Sequence, residues 1–335
     1  MKVCIVGAGA VGGVLAAGLA GRLPAGEVEV SALARGATLQ ALRSDGLRLE
    51  SPDAPTRHLR LTASDDPAAF GAQDVVIVAV KGPALAAAAP AIGALCHQNT
   101  TVLVAMNGVP WWFFDGLPGP CDGLRLTSVD AGDGIRAHIP TERVVGCVVH
   151  FSAATPAPAQ VRLVQGRRLI IGEPAGGTSP RVQALARMLE GAGFEVERSA
   201  RIQRDIWFKL WGNMTVNPVS ALTGASTDRI LDDPLVRAHI SAVMLEAREI
   251  GRRFGIPIEQ EPEDRHAVTR KLGAFRTSML QDVEAGRPLE IDALLGAVRE
   301  VGQHLTVPTP HLDSLLGLTR LMARTRGLYP ESPTP

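Results

Sequence analysis

Lys2–Gly13 reads KVCIVGAGAVGG, and this stretch decides how the rest of the chain is read. Val3–Val6 is a short apolar run of the kind that forms a buried strand, and the glycines after it fit a tight turn opening into a helix. Gly7, Gly9 and Gly12 fall on G-x-G-x-x-G, with Ala10 and Val11 at the head of the helix. In that pattern the first glycine makes the turn, the second lets the backbone approach a pyrophosphate, and the third lets helix and strand pack closely. The pyrophosphate then rests on N–H groups at the helix N-terminus. Glycine is common here, 35 of 335 residues, so a glycine-rich packing site is the rival reading. The position between a strand and a helix favours a dinucleotide.

The pattern continues outward as a βαβ unit. Ala10–Arg22 is an Ala/Leu/Val-rich helix, Pro24–Gly26 a break, and Glu27–Ala34 (EVEVSALA) a strand of period two. The residue after this second strand discriminates cofactors: an acid binds the ribose 2′-hydroxyl of NAD, an arginine accommodates the 2′-phosphate of NADP. Here it is Arg35, with no carboxylate between Glu29 and Asp45. A solvated arginine at a strand end is the alternative; the missing acid favours NADP.

A helix over Thr38–Arg43 and a hairpin from Gly46–Glu50 and His58–Thr62 follow. Asp74–Val80 (DVVIVAV) and Thr101–Ala105 read as central parallel strands. They end at Lys81-Gly82 and Asn107-Gly108, polar residues placed where such sheets hold ligands, although turn chemistry alone also produces Asn-Gly. Trp111-Trp112-Phe113-Phe114 either walls a binding pocket or is buried against the sheet. Strands at Arg143–Ser152 and Gln160–Gly172, a helix at Arg181–Gly191 and an edge strand at Gly193–Glu197 complete this part.

From about Ser199 helical periodicity takes over, at Ile202–Val216, Pro234–Phe254, Glu263–Ala285, Glu290–His304 and His311–Thr325. The expected organisation is an α/β parallel-sheet domain over 1–199 and an all-α domain over 200–328, with a crevice between them as the default substrate site. The tail 329–335, YPESPTP, reads as disordered.

Lys plus Arg and Asp plus Glu are equal at 34 each, which gives no reason to expect nucleic acid or an anionic membrane as partner. Cys4, Cys96, Cys121 and Cys147 are widely spaced, without C-x-x-C, and fit reduced thiols in a cytoplasmic protein. The weakly polar run after Lys2 resembles a signal peptide, but its glycines and strand-like start favour a buried strand and helix. The helical half has apolar faces enough for a homodimer, and core packing would use the same residues.

The chemistry-bearing stretch of the second half is Ile202–Pro218, IQRDIWFKLWGNMTVNP. Lys209 and Asn213 share one helix face at i and i+4, and Asn217 continues it. Apolar neighbours Trp207, Phe208 and Trp211 would disfavour the lysine's charged form and bring it toward proton-donating range; a lysine snorkelling from an amphipathic helix is the competing account. A second cluster, Thr277–Asp292, contains Ser278 and Glu290, the latter at a helix start where a carboxylate also satisfies the helix dipole.

Taken in order, GAGAVG at 7–12, A-R-G at 34–36, V-K at 80–81, N-G at 107–108, K-L-x-x-N-x-x-x-N-P at 209–218, and S-M-L-Q-D with E-I-D between Ser278 and Asp292 resemble the ketopantoate reductase family over nearly the whole chain. The resemblance implies a Rossmann domain followed by a helical domain, and NADPH-dependent reduction of a 2-oxo acid to a 2-hydroxy acid, without a metal. It implies Lys209 as general acid and Glu290 as the carboxylate binding the substrate hydroxyl. Asn213, Asn217, Ser278 and Asn107 would bind substrate. Gly7, Gly9, Ala10, Val11, Gly12, Arg35, Lys81 and Asn107 would bind cofactor. Ketopantoate in pantothenate biosynthesis is the leading substrate, a different oxo acid the runner-up, and a non-catalytic NADP sensor the reading from another class.

Overall fold

The computed structural model describes residues 1–24 and 26–331. Ala25, in the break expected at Pro24–Gly26, and residues 332–335 of the expected tail lie outside the described residues. Two compact units divide the chain: Met1–Met106, Trp112–Leu117 and Gly132–Asp205 form the first; Asn107–Trp111, Pro118–Ala131 and the chain from Ile206 onward form the second.

The first unit is built on a ten-stranded sheet. In chain order it contains β1 (Lys2–Val6), α1 (Ala10–Arg22), β2 (Glu29–Leu33), α2 (Gly36–Ser44), β3 (Leu47–Ser51), β4 (Ala54–Leu59), β5 (Thr62–Ser64), β6 (Gln73–Val78), α3 (Gly82–Ala94), β7 (Cys96–Val104), α4 (Gly134–His138), β8 (Val144–Ala157), β9 (Gln160–Gly172), α5 (Pro180–Gly191) and β10 (Glu195–Arg198). The strand order is β4-β3-β9-β8-β7-β6-β1-β2-β5, with β10 also on β9. Val3–Val6 of β1 are buried and pair in parallel with β2 on one side and β6 on the other. A strand enclosed on both edges and both faces has no polar side to alternate with, so its sequence is a continuous apolar run.

The sheet is mixed: the Rossmann-type parallel strands expected around β1 are extended by antiparallel pairs, one of them the expected hairpin. β8 and β9 are antiparallel, as are β3 and β4. The cause is connection length: only Pro158 and Ala159 separate β8 from β9, too little chain for a crossover to a parallel neighbour. The strands around β1 remain parallel, and strand order reverses there, with β2 laid on one side and β6 on the other.

The two readings of the aromatic run are now separable. Trp112, Phe113 and Phe114 are almost fully buried, and the Trp112 indole lies against Gly146 of β8, where a Cβ would come within 2.6 Å of the ring. These side chains belong to the core of the first unit, and Trp111, in the second, is buried too.

The second unit contains α6 (Ile202–Thr223), α7 (Thr227–Asp232), α8 (Pro234–Arg253), α9 (Pro262–Arg270), α10 (Ser278–Glu284), a π-helical turn at Asp292–Gly296, α11 (Ala297–His304) and α12 (Pro310–Thr325). α6 begins within the last residues of the first. It buries side chains around most of its circumference: Trp207, Leu210, Val216, Val219 and Ser220. The Trp211 indole donates to the Met244 carbonyl oxygen at 2.7 Å. No helix among the described residues is long and apolar enough to cross a membrane.

Three helix expectations are revised. α6 continues through Pro218 to Thr223 instead of stopping at Val216; proline removes one helical hydrogen bond, and the buried Val219 and Ala221 beyond it offset that loss. The helix expected over Glu263–Ala285 is two, because the intervening backbone serves α7. Phe275 O accepts from Thr227 N at 3.0 Å and Gly273 O from Thr227 Oγ1 at 2.7 Å. Glu290 precedes its helix instead of starting it, and the first turns are π-helical.

Candidate active site

In the first unit the turn after β1 has the shape a dinucleotide pyrophosphate requires. Gly7 has φ +96°, a left-handed conformation that L side chains rarely adopt. A Cβ there would stand 2.8 Å from Val80 N and 2.9 Å from the Ala79 carbonyl carbon, so this turn lies directly on the one after β6. A Cβ on Gly12 would be 2.1 Å from Gly7 O, which fixes α1 tightly on the turn. Gly9, the N-cap of α1, faces open space with nothing within 4 Å.

Ala10 and Val11 then open α1, whose N-terminus has no side-chain cap and no acid in its first turn. N–H groups of a first turn have no helical acceptor, and the dipole favours an anion there. Arg35 is the exposed N-cap of α2, just past the end of β2, and Lys81 the half-buried N-cap of α3, just past β6. All lie at carboxyl ends of the parallel strands, where open sheets of this kind hold ligands.

In the second unit, α6 places Lys209 and Asn213 half-buried, and Asn217 buried, along one stripe. Its tryptophans turn inward, Trp207 against Phe254 and Trp211 beside Phe208. Lys209 Nζ donates to Asn107 Oδ1 at 2.9 Å. This contact joins two of the residues singled out from sequence, though far apart in the chain, and aims the ammonium at a fixed amide oxygen.

The Asn107 loop is in turn fixed to the π-helical turn after Glu290. Val109 N donates to Ala293 O at 2.8 Å. Gly108, at φ +82°, comes so close that a Cβ would be 2.6 Å from Ala293 O and from its Cβ. π-Turns recur at functional sites because they re-aim side chains and free carbonyls from the α-helical ladder. Glu290 is buried at 9% exposure, separated from this turn by Ile291 alone. Ser278 is exposed and carried by a separate short helix, α10, behind the Thr277 cap that accepts from Leu280 N.

The second unit therefore presents an ammonium on an amide oxygen and a buried carboxylate, and the first unit, by itself, presents an anion-receptive glycine turn. An ammonium offers three N–H donors, and Asn107 is among the acceptors that the Lys209 ammonium meets. Gly108 and Ala293 were not singled out from sequence as site-forming residues. Gly108 is marked in the sequence as part of the Asn107-Gly108 strand end and family motif but not for its contact with Ala293, and a backbone carbonyl freed by a π-turn leaves no mark in a side-chain pattern.

The chain is similar to known proteins over nearly its whole length. Residues 3–176 match the family model described as ketopantoate reductase PanE/ApbA, and residues 201–323 match the model of its C-terminal part. The chain is 43% identical over 98% of its length, and 100% of the relative's, to a 2-dehydropantoate 2-reductase of Mesorhizobium japonicum. A crystal structure of a candidate ketopantoate reductase from Ralstonia solanacearum MolK2 is 60% identical, with TM-score 0.93, covering 98% of this chain and 99% of that one. A PanE/ApbA family ketopantoate reductase from Ralstonia eutropha JMP134 is 28% identical, with TM-score 0.82, over 98% of this chain and 100% of that one.

Proposed function

The chain belongs to the ketopantoate reductase family of oxidoreductases, and from that premise we propose that it reduces a 2-oxo acid to the 2-hydroxy acid with NADPH. The specific substrate in this reading is 2-dehydropantoate, reduced to pantoate for pantothenate synthesis. The observation that carries it is the Lys209–Asn107 hydrogen bond, which supplies an oriented proton donor.

When bound, the nicotinamide supplies the hydride that adds to C2 of the oxo acid. Lys209 stabilises the charge that builds on the carbonyl oxygen and transfers a proton from Nζ to it, and solvent reprotonates the amine. Overall, one hydride and one proton enter the carbonyl group. Asn107 holds the ammonium so that it faces the carbonyl rather than rotating freely. The buried Glu290 carboxylate accepts from the substrate's hydroxyl, and Asn213, Asn217 and Ser278 bind its other polar groups. Arg35 receives the 2′-phosphate, and the absence of a carboxylate between Glu29 and Asp45 leaves nothing there to favour NADH.

The test is spectrophotometric: NADPH oxidation against a panel of 2-oxo acids including 2-dehydropantoate, with wild type and Lys209→Ala. The expected result is highest kcat/KM with 2-dehydropantoate and loss of kcat in the variant with NADPH binding intact. Preference for another acid would reassign the substrate, no turnover with any would favour a binding protein, and near-normal turnover by Lys209→Ala would remove the lysine from the mechanism.

A further inference from the structure

Glu290 lies in a connector between α10 and the π-helical turn, outside any run of helical hydrogen bonds. A carboxylate that orients substrate must nevertheless be held to about half an ångström. The fastening comes from the end of the chain. Leu289 N, one residue before Glu290, donates to Leu328 O at 3.2 Å. Asp292, two residues after it, accepts at Oδ1 from Tyr329 Oη at 2.7 Å. Two consecutive residues near the C-terminus thus grip the chain on either side of Glu290.

The gripping residues are themselves anchored. Leu328 is buried and its N–H donates to Ala323 O at 2.8 Å, at the end of α12. Arg320 and Arg324 of that helix stand over the Tyr329 ring at 5.8 and 5.5 Å from its centroid. Arg320 Nη2 also donates to Asp292 Oδ1 at 3.0 Å, and Arg324 Nε to Pro330 O at 3.1 Å. On the other flank, Arg287 N and Nε donate to Asp282 O and Oδ1, both at 2.9 Å.

We propose that Leu328–Tyr329 is a strap that positions Glu290 for substrate, with Tyr329 as the positioning residue. This rests on the reading of Glu290 as a substrate-binding carboxylate. The phenol is well suited to such a hold, since burial first, then its bond to the Asp292 carboxylate, push its pKa up to about 12. It therefore stays a donor wherever the enzyme works. Of the tail expected to be disordered from Tyr329, the first two residues are held.

Tyr329 is the single tyrosine of the chain, so it can be observed alone. Steady-state kinetics with NADPH and 2-dehydropantoate would compare wild type, Tyr329→Phe, Asp292→Asn, Glu290→Gln and Tyr329→Phe/Glu290→Gln. Tyr329→Phe keeps the ring under the two arginines and removes one hydrogen bond to a charged acceptor. The expected result is a rise of about five- to tenfold in oxo-acid KM, with kcat within about twofold and KM for NADPH unchanged. The double variant should be no worse than Glu290→Gln alone, because coupled residues do not add.

In protein labelled with 3-fluorotyrosine, the one ¹⁹F resonance should move when pantoate and NADP⁺ bind wild type, and stay put in Glu290→Gln. If Glu290→Gln raises KM while Tyr329→Phe and Asp292→Asn leave it unchanged, the strap is refuted and the Glu290 reading stands. If Glu290→Gln leaves KM unchanged, the Glu290 reading falls and the strap falls with it. Equal losses of kcat and thermal stability in Tyr329→Phe without a change in KM would make the tail merely structural.

Discussion

Replacing Gly108 with alanine should damage both stability and catalysis, by amounts the geometry sets. The backbone there has φ +82°, where an L side chain costs about 1–2 kcal/mol. The new methyl carbon would stand 2.6 Å from Ala293 O and Cβ and 2.7 Å from its carbonyl carbon, roughly an ångström inside van der Waals contact. Two of those atoms are backbone, so no rotamer relieves the overlap, and forced overpacking costs about 1–3 kcal/mol. The sum, about 2–5 kcal/mol, corresponds to a fall in Tm of about 5–15 °C for units of this size. The loop escapes by lifting off the π-turn, which breaks Val109 N to Ala293 O and carries Asn107 away from Lys209. A displacement of an ångström at a proton donor costs on the order of a hundredfold in rate. Differential scanning calorimetry with single-turnover NADPH oxidation measures both. Ala293→Gly in the same chain removes only the Cβ overlap, so it should restore less than half the loss. A Gly108→Ala enzyme that melts within a degree of wild type and keeps its single-turnover rate would refute the idea that this contact sets the Asn107 loop.

Arg35→Ala should raise the dissociation constant for NADPH about tenfold or more and leave that for NADH nearly unchanged, read by nucleotide fluorescence titration; an equal loss for both would remove the arginine from the 2′-phosphate. His266 is buried, with Nε2 on Ser241 Oγ at 2.8 Å and no partner for Nδ1 among the described residues. Burial is the main cause holding its pKa below the ordinary 6.5, with Arg237 and Arg270 adding to the shift and Glu263 opposing it. The unfolded chain therefore takes up this proton first as pH falls, so its contribution to stability is intact above pH 6.5 and is lost as pH drops through the lower folded value. His266→Gln should have a flatter urea midpoint between about pH 7 and 5; an unchanged slope would rule this out. Glu300 accepts from Thr127 N, Thr127 Oγ1 and Ser128 N at 2.7, 3.0 and 2.9 Å. Glu300→Ala should cost about 1–3 kcal/mol and speed amide exchange at Thr127 and Ser128, which faster exchange confined elsewhere would contradict.

Much of the first unit could be read from the chain because its determinants are local. The apolar runs of β1, β6 and β7, the hairpin of β3 and β4, and the glycines at 7, 9 and 12 act over a few residues each. The antiparallel turn of β8 into β9 is equally local, since neither the seven residues between the expected strands nor the two between the observed ones suffice for a crossover. What escaped was set by distant partners. The split between α9 and α10 exists because Thr227 uses the carbonyls of Gly273 and Phe275, and α6 outlasts Pro218 because the flanking residues are buried. In the second unit the lysine–asparagine stripe was visible as an i, i+4 spacing. Its contact with Asn107 was not, and neither were the π-turn nor the hold of Tyr329 on Asp292, because each joins segments that share no periodicity.

The membership of Asn107–Trp111 and Pro118–Ala131 in the second unit has a consequence for synthesis on the ribosome. These segments leave the exit tunnel well before α6, and Ala293 follows Val109 by an interval of roughly 10–40 s at ordinary elongation rates. During that time the amide that will orient Lys209 has neither the lysine nor the carbonyl that will pin its loop, and Trp111 has no core to enter. The decisive contacts of the second unit therefore form only once its late helices have emerged, and a fragment that begins near residue 200 lacks the Asn107 segment that holds its own lysine.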